Sequence, residues 1–299
     1  MTCSNTKPNM GYNACTTVDY GLPISVILSP ARLEFATEAA AAIEANMTAL
    51  INAEITSLRA FPLPSVFKAE PADDESVSEV GSLGLSIEAR KNGGIDKFHL
   101  ANIPAKMKNR LMTAWNNRHV YCFFIYANNY LGGVYDEATE TKVQMEKVYV
   151  TVSEMKNKDT ETYKLTFNVQ RLDVARANNY GVAVQPDYSL LELKGLQYVT
   201  ITVTQPLAAS ADNFTATVVT ELEGTPVTGL VVADFINLKS GATNALTSAA
   251  DNGDGTYLIT PTDGVTEGNY TFNITTPNAL ADQTLLIESA GAYSYTVSA

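Results

Sequence analysis

Two stretches of alternating side chains between positions 142 and 173 constrain the fold more than any other part of this chain. Apolar side chains recur there at every second position, at Val148, Val150 and Val152 and then at Tyr163, Leu165, Phe167 and Val169. A period of two places each set on one face of a β-strand. The connection at 154–161 is charged and lacks a tight-turn pair such as Asn-Gly. The pattern therefore predicts two long antiparallel strands joined by a projecting polar loop, with one dry and one wet face.

Net negative charge is concentrated in the last third of the chain, which has 299 residues and a net charge of −12 in total. From position 197 onward, ten acidic residues and one basic residue give −9, whereas 22 acidic and 19 basic residues give −3 for the rest. This balance argues against binding nucleic acid through its phosphates. It favours solubility, and surfaces past which DNA moves without being held.

The sequence predicts neither a membrane span nor a secretory signal. No window contains the ~20 apolar residues that cross a bilayer, and positions 1–12 have no basic start and no apolar run. We therefore expect no membrane insertion, and folding in the cytoplasm of the producing cell.

Cys3 and Cys15 are spaced to close a loop or to join a metal site, but no nearby Cys or His completes four ligands. Reduced structural cysteines are the favoured interpretation, Cys122 included, and pairing of Cys3 with Cys15 stays open.

Composition divides the chain into three parts. Residues 1–23 show no periodicity, which predicts an extended arm that is either poorly ordered or ordered on a neighbouring copy. Residues 24–196 are predicted to form an α+β, mostly β assembly domain that is sandwich-like and has one or two helices. Residues 197–299 contain short alternating runs separated by Gly-containing turn pairs. About seven short strands in about 100 residues are typical of a second β-sandwich.

Within the first domain, strands are predicted at 24–28, 83–89, 98–103 and 120–127. A helix is predicted at 37–57 from a one-sided apolar stripe, which comprises Ile43, Met47, Leu50, Ile51, Ile55 and Leu58. A second helix follows Pro104 and runs to 117. Turns are predicted at the pairs Asn128-Asn129 and Gly132-Gly133. Segment 174–196 is predicted to return to this domain through Leu190, Leu191 and Leu193.

No catalytic constellation emerges from the sequence. His99 and His119 have no acid or thiol at a catalytic spacing, and neither a G-x-S-x-G elbow nor a phosphate-binding loop is present. Asp73, Asp74 and Glu75 are candidates for holding a hard cation, although a solvated acidic loop is the favoured interpretation.

Two further sets of acidic residues invite a catalytic or a metal-binding interpretation. A glycosidase needs two positioned carboxylates, for which the nominees are Asp73, Glu75, Asp136 and Glu137. Nothing in the sequence pairs them. Asp251, Asn252 and Asp254 do not fit a calcium loop, because Gly253 takes the third position and Thr262 the twelfth. We therefore predict a non-enzyme without metal or cofactor.

The C-terminal domain carries one family resemblance. The string GTPVTGLVVADFINLKSG, followed by SAADNGDGTYLITPTDGVTEGNYTFNI, resembles the bacterial immunoglobulin-like domains of the invasin and intimin type. The likeness covers roughly 205–298, and its GDGTY turn would enter a strand. It implies an Ig-like β-sandwich and says little about function, since such domains occur in bacterial adhesins and in phage tail and capsid proteins.

Domain order and pattern carry a second resemblance. Residues 80–172, with KVYVTVSEMKNKDTETYKLTFNVQ as the best stretch, are similar to the tail tube proteins of long-tailed phages. The resemblance implies a small β-sandwich flanked by a helix, assembling into hexameric rings, with an Ig-like domain outside. The long lead-in before position 65, with its own helix, departs from that pattern.

The resulting expectation is a non-enzymatic virion structural protein, a tail tube subunit that forms homo-oligomeric rings in the host bacterial cytoplasm and contacts other virion proteins. The hairpin would line a channel or bridge to the next ring, and DNA would pass without specific binding. The wet face expected to border water comprises Lys164, Thr166, Asn168 and Gln170. The alternatives are a capsid decoration or head-fibre protein anchored by its N-terminal arm, and a bacterial cell-surface adhesin, which the missing signal disfavours.

Overall fold

The computed structural model describes residues 22–63, 66–71, 77–80, 86–90, 94–101, 103–155, 164–204, 209, 211–281 and 285–298. Strands predominate among these residues, so the expected mostly β fold is confirmed. Outside them lie residues 1–21 of the predicted arm, with Cys3 and Cys15, the acidic loop residues Asp73, Asp74 and Glu75, and the hairpin residue Tyr163. No helix in the described part is long and apolar enough to span a membrane.

The strands up to position 184 are β1 (Pro23–Ser29), β2 (Glu34–Phe35), β3 (Phe61–Pro62), β4 (Val66–Pro71), β5 (Val77–Val80), β6 (Ser86–Arg90), β7 (Ile95–Ala101), β8 (Arg118–Tyr126), β9 (Tyr130–Tyr135), β10 (Val143–Gln144), β11 (Glu146–Met155), β12 (Lys164–Arg171) and β13 (Gly181–Val184). The helices are α1 (Glu38–Ala41), α2 (Glu44–Ile51), α3 (Ala105–Trp115) and α4 (Val174–Tyr180), with 3₁₀ turns at Thr56–Leu58 and Leu190–Glu192.

The predicted hairpin lies inside a sheet rather than at its edge. β11 and β12 pair antiparallel, from Val148 opposite Arg171 to Met155 opposite Lys164. β8 flanks β11 and β7 flanks β12. Within the described residues the sheet has 11 strands in the order β2-β10-β9-β8-β11-β12-β7-β4, with β1, β3 and β13 attached. β1 pairs with β8, four strands away from β4 in this order, and yet β1 and β4 contact each other. The sheet therefore curls back toward itself.

The two faces of β8 contribute to different hydrophobic cores. Cys122 and Phe124 point into an inner core enclosed by β1, β7, β11, β12 and α3. Phe123 and Ile125 point into an outer core with α1, α2, β9 and β10. Burial on both faces explains why this strand, predicted at 120–127, is a continuous apolar run rather than an alternating one.

The single helix predicted at 37–57 is wrong. α1 and α2 are separate, and the predicted stripe divides into buried Met47 and Ile51, half-buried Leu50, and exposed Ile43, Ile55 and Leu58. Ile43 takes extended angles (φ −94°, ψ 123°) between the two helices. After α2, the carbonyls of Ala53 and Glu54 accept hydrogen bonds from the Arg59 side chain instead of from helical N–H groups.

Gly132 and Gly133 lie within β9, so the turn predicted there is wrong. A Cβ at position 132 would lie 2.3 Å from Cε2 of Tyr126, and one at 133 would lie 2.6 Å from the carbonyl oxygen of Gln144. These glycines therefore permit a close approach between strands. The turn at Asn128-Asn129 is confirmed, and Asn129 has the φ of 59° that asparagine tolerates.

The return segment packs on the outer core only in part. Leu190 is buried there and Leu193 is half-buried, as predicted. Leu191 is 63% exposed, so its predicted packing is wrong. The 3₁₀ turn at Leu190–Glu192 directs successive side chains to different sides, which a simple apolar run does not reveal.

The C-terminal strands are β14 (Gln197–Val203), β15 (Phe214–Thr220), β16 (Phe235–Lys239), β17 (Ala242–Thr243), β18 (Leu246–Asp251), β19 (Thr256–Pro261), β20 (Gly268–Ile274), β21 (Ile287–Ser289) and β22 (Tyr293–Val297), with α5 at Pro277–Ala281. Among the described residues they form two sheets, ordered β18-β19-β15-β14-β21 and β17-β16-β20-β22. Buried side chains of both sheets, such as Tyr257 and Phe272, form one core.

Two ion-pair contacts connect the C-terminal strands to the N-terminal part. Arg59, only 2% exposed, places Nη1 2.7 Å from Oε2 of Glu288. In the second contact, Glu221 pairs with Lys106 at 2.6 Å and with Arg110, both on α3. The two parts are therefore tied together rather than joined by the chain alone.

Candidate functional site

The dry face of the hairpin is filled by the chain's own core. The described members of the predicted assembly set are between 0% and 4% exposed, and they are Val148, Val150, Val152, Leu165, Phe167 and Val169. They share the inner core with Phe98 and Trp115. Another molecule could therefore contact these two strands only through their opposite face, which points away from the inner core.

That other face carries hydroxyl, amide and phenol groups. We call it the polar sheet face, and on β11 and β12 it comprises Lys147, Tyr149, Thr151, Ser153, Thr166, Asn168 and Gln170. The strand pairing extends it sideways, because Tyr149 faces His119 on β8 and Asn168 faces Lys97 on β7. The rings of His119 and Tyr149 lie 5.0 Å apart, and Asn168 donates to the Thr151 hydroxyl at 3.1 Å. The face thus continues over at least four strands.

A chain of polar contacts crosses three strands at one end of this face. His99 Nδ1 lies 3.0 Å from Oγ1 of Thr166, and its Nε2 lies 2.9 Å from Oε1 of Glu70. Lys68 Nζ lies 2.6 Å from the second carboxylate oxygen of Glu70. Hydrogen bonds from Lys68 and then His99 lower the pKa of Glu70 to about 2. The chain holds β12, β7 and β4 side by side.

Hydroxyl, imidazole and carboxylate are also the components of a hydrolase triad, but their setting here fits a structural role. Thr166 is 4% exposed and His99 is 8% exposed. A nucleophile has to be reached by the substrate carbon that it attacks, and a hydroxyl buried this deeply is not. The contacts instead satisfy buried polar atoms, which would otherwise cost stability.

The polar sheet face is positively charged, unlike the chain as a whole. Its described cationic side chains are Lys68, Lys97, Lys147 and, over the Tyr121 ring at 5.3 Å, Arg32. Among the described outward side chains of these strands, Glu70 is the carboxylate, and it is already paired with Lys68. Four cations against one carboxylate give about +3, opposite in sign to the net charge of −12 of the whole chain.

Beneath the hairpin, a partly buried arginine lies between two carboxylates. The guanidinium of Arg171 lies 4.1 Å from the centroid of Phe124, 3.8 Å from Glu146 and 4.0 Å from Asp96. Burial raises the pKa of Glu146, which is 7% exposed.

Cys122 is a buried free thiol whose pKa burial also raises, so it packs as an apolar residue rather than acting as a nucleophile.

The nominated carboxylates Asp136 and Glu137 have structural contacts. Hydrogen bonds, first from the Thr139 hydroxyl, hold the pKa of Asp136 well below its usual range. The donors to its two oxygens are the backbone N–H groups of Thr139, Thr141 and Lys142 and that hydroxyl. Glu137 pairs with Arg176 at 3.0 Å. The Asp136 side chain therefore closes the loop that runs from position 136 to position 142.

The acidic turn of the C-terminal part is likewise used internally. Asp251 accepts from the N–H groups of Gly229 and Gly253. Asp254 accepts from the N–H and the hydroxyl of Thr256 at 2.9 and 2.5 Å. Within the described ranges, no group of three or more His, Cys, Asp or Glu residues is placed to hold a metal ion.

Sequence reasoning missed the contacts that cross the sheet. His99 and Glu70 are separated by 29 positions, and periodicity does not show which strands become neighbours. The available signal was weak: Lys97 and His99 occupy alternate positions of one strand, which places both on its wet face.

No protein-family model matches this chain, and no curated protein matches it.

Proposed function

We propose that this chain is a non-enzymatic structural subunit of a phage virion, a tail tube subunit that associates with copies of itself into rings. The observation that carries this proposal is the position of the long hairpin. Its dry side is filled by its own core, and its other side is a polar surface at least four strands wide. A broad sheet surface suits packing between subunits, whereas small-molecule sites are concave.

The C-terminal part is proposed to be an Ig-like β-sandwich carried on the outside of the ring. Two sheets that share one core support this, since face-to-face sheets are the layout of a sandwich. The GDGTY string supports it too, because it forms a turn into β19 with φ of 80° at Gly253 and 82° at Gly255.

Absence of catalysis is part of the proposal. The groups that invite a catalytic interpretation make structural contacts, as Asp136 does in its loop and His99 does between strands. The subunit would act in the virion after assembly in the host bacterial cytoplasm, alongside other virion proteins. DNA would pass through the ring without specific binding.

Electron microscopy of the purified full chain over a concentration series tests the proposal, with sedimentation velocity on the same samples. We expect rings or short tubes as concentration rises, since obligate interfaces bury roughly 2,000 Å² or more. Monomers or trimers at every concentration would favour a capsid decoration or head-fibre protein instead. A lone chain that turns over a substrate would end the structural interpretation.

A further inference from the structure

We infer that the polar sheet face is a docking surface for the acidic C-terminal part of a neighbouring copy of this chain. This inference rests on the proposed self-assembly and adds which two surfaces meet. It explains why a chain of net charge −12 keeps a positive sheet face.

The docking face combines charge with rigid contact groups. Lys147 is exposed on β11 and Lys97 is half-buried on β7. Beside them lie the tilted ring pair of Tyr149 and His119, at 5.0 Å, and the hydrogen-bonded amide of Asn168. Side chains already held by neighbours lose little conformational entropy on binding, so they suit an interface.

The partner chemistry is that of the C-terminal part. Its ten acidic residues and one basic residue give −9. Exposed carboxylates there include Asp212, Glu223, Asp263 and Glu267. The one base, Lys239, donates to the Thr266 hydroxyl at 2.6 Å. A face of about +3 and a domain of −9 are complementary, which steers association and fixes its orientation.

The copy that supplies the acidic domain is a different one. Within one chain, Glu221 and Glu288 tie the C-terminal strands to α3 and Arg59, so the domain is already committed to those contacts. A face on one domain that receives a different domain of the next copy makes a heterologous contact. Such contacts close into rings or continue as filaments.

Nucleic acid is the competing partner for a positive face with aromatic rings. Binding of DNA phosphates by Lys97 and Lys147 would not depend on the carboxylates of the C-terminal domain. Reversal of charges in that domain therefore separates the two partners.

The test is sedimentation velocity of the full chain at about 0.1 M and about 1 M salt, where the Debye length falls from ~10 Å to ~3 Å. We expect the wild type to associate more weakly at high salt. The face variant Lys97→Glu/Lys147→Glu should raise the dissociation constant by about tenfold or more at low salt. The domain variant Asp263→Lys/Glu267→Lys should do the same, and a chain carrying both reversals should recover association.

A matched control is Lys194→Glu, which changes an exposed lysine outside the face and should leave association unchanged. Thermal melting of each variant checks folding. Association that ignores the face reversal, or no recovery in the combined variant, overturns the inference. Binding of a short duplex oligonucleotide that depends on Lys97 and Lys147 would overturn it in favour of nucleic acid. Rings that form equally well with the face variant would still support the proposed function, and they would contradict only the contact between the polar sheet face and the acidic domain.

Discussion

At the scale of single residues, Arg171 is the side chain whose loss we expect to cost most. Arg171→Met removes the guanidinium that lies 3.8 Å from the buried carboxylate of Glu146, and breaking a buried pair in this way costs about 3–5 kcal/mol. Glu146→Gln should cost far less, because it leaves one carboxylate for one guanidinium and burial already raises the pKa of Glu146. Urea denaturation of both variants checks this, and equal losses would contradict it.

Glu70 should make the sheet sensitive to acid. Its pKa is about 2 in the folded chain, below the usual 4.5, because of Lys68 and His99. A depressed pKa contributes stability above 4.5 that is lost as the pH falls from 4.5 toward 2. Glu70→Gln should therefore flatten the fall in melting temperature over that range. The exposed turn residue Glu223 supplies the control, and a Glu223→Gln profile that flattens equally would refute the assignment.

At the scale of secondary-structure elements, the glycines of β9 control how closely strands approach. Gly133→Ala would place a methyl group 2.6 Å from a backbone oxygen that cannot turn away. We expect a loss of about 1–3 kcal/mol, the usual cost of overpacking. The control is Gly291→Ala, because nothing lies within 4 Å of the added Cβ. Chemical denaturation of the two variants should separate them, and similar stability would show that β9 can shift.

The sequence predicted those elements whose cause is local. The hairpin strands follow from alternation, since Val148, Val150 and Val152 all face one core. The predicted 37–57 helix was wrong at its end, where the carbonyls of Ala53 and Glu54 accept from Arg59, and Arg59 is held by Glu288, 229 positions away. The polar contacts of His99 were missed for the same reason. Periodicity reports which face of a strand is buried, and it does not report which strands become neighbours.

At the scale of the whole molecule, charge is separated between the two ends of the chain. The C-terminal strands carry −9, and the N-terminal part carries the positive polar sheet face. The two meet within one chain only at the contacts of Glu221 and Glu288, among the ion pairs of the described residues. Those contacts therefore help to hold the acidic domain in a fixed direction, which a regular assembly requires.

The contact between Arg59 and Glu288 should keep the C-terminal part in a fixed orientation relative to the N-terminal part. Arg59 is 2% exposed and makes two hydrogen bonds to Glu288, at 2.7 and 3.2 Å. Arg59→Met removes them and leaves that carboxylate unpaired, with an expected cost of about 3 kcal/mol. Because the two hydrogen bonds to Glu288 join the two parts, calorimetry should show the unfolding of these parts separate into two transitions. NMR spin relaxation should show faster tumbling of residues 197–298. The exposed pair of Lys142 and Glu34 provides a control, since Lys142→Met breaks an ion pair within one part. A single transition and unchanged tumbling in Arg59→Met would mean that the C-terminal domain is held by packing instead.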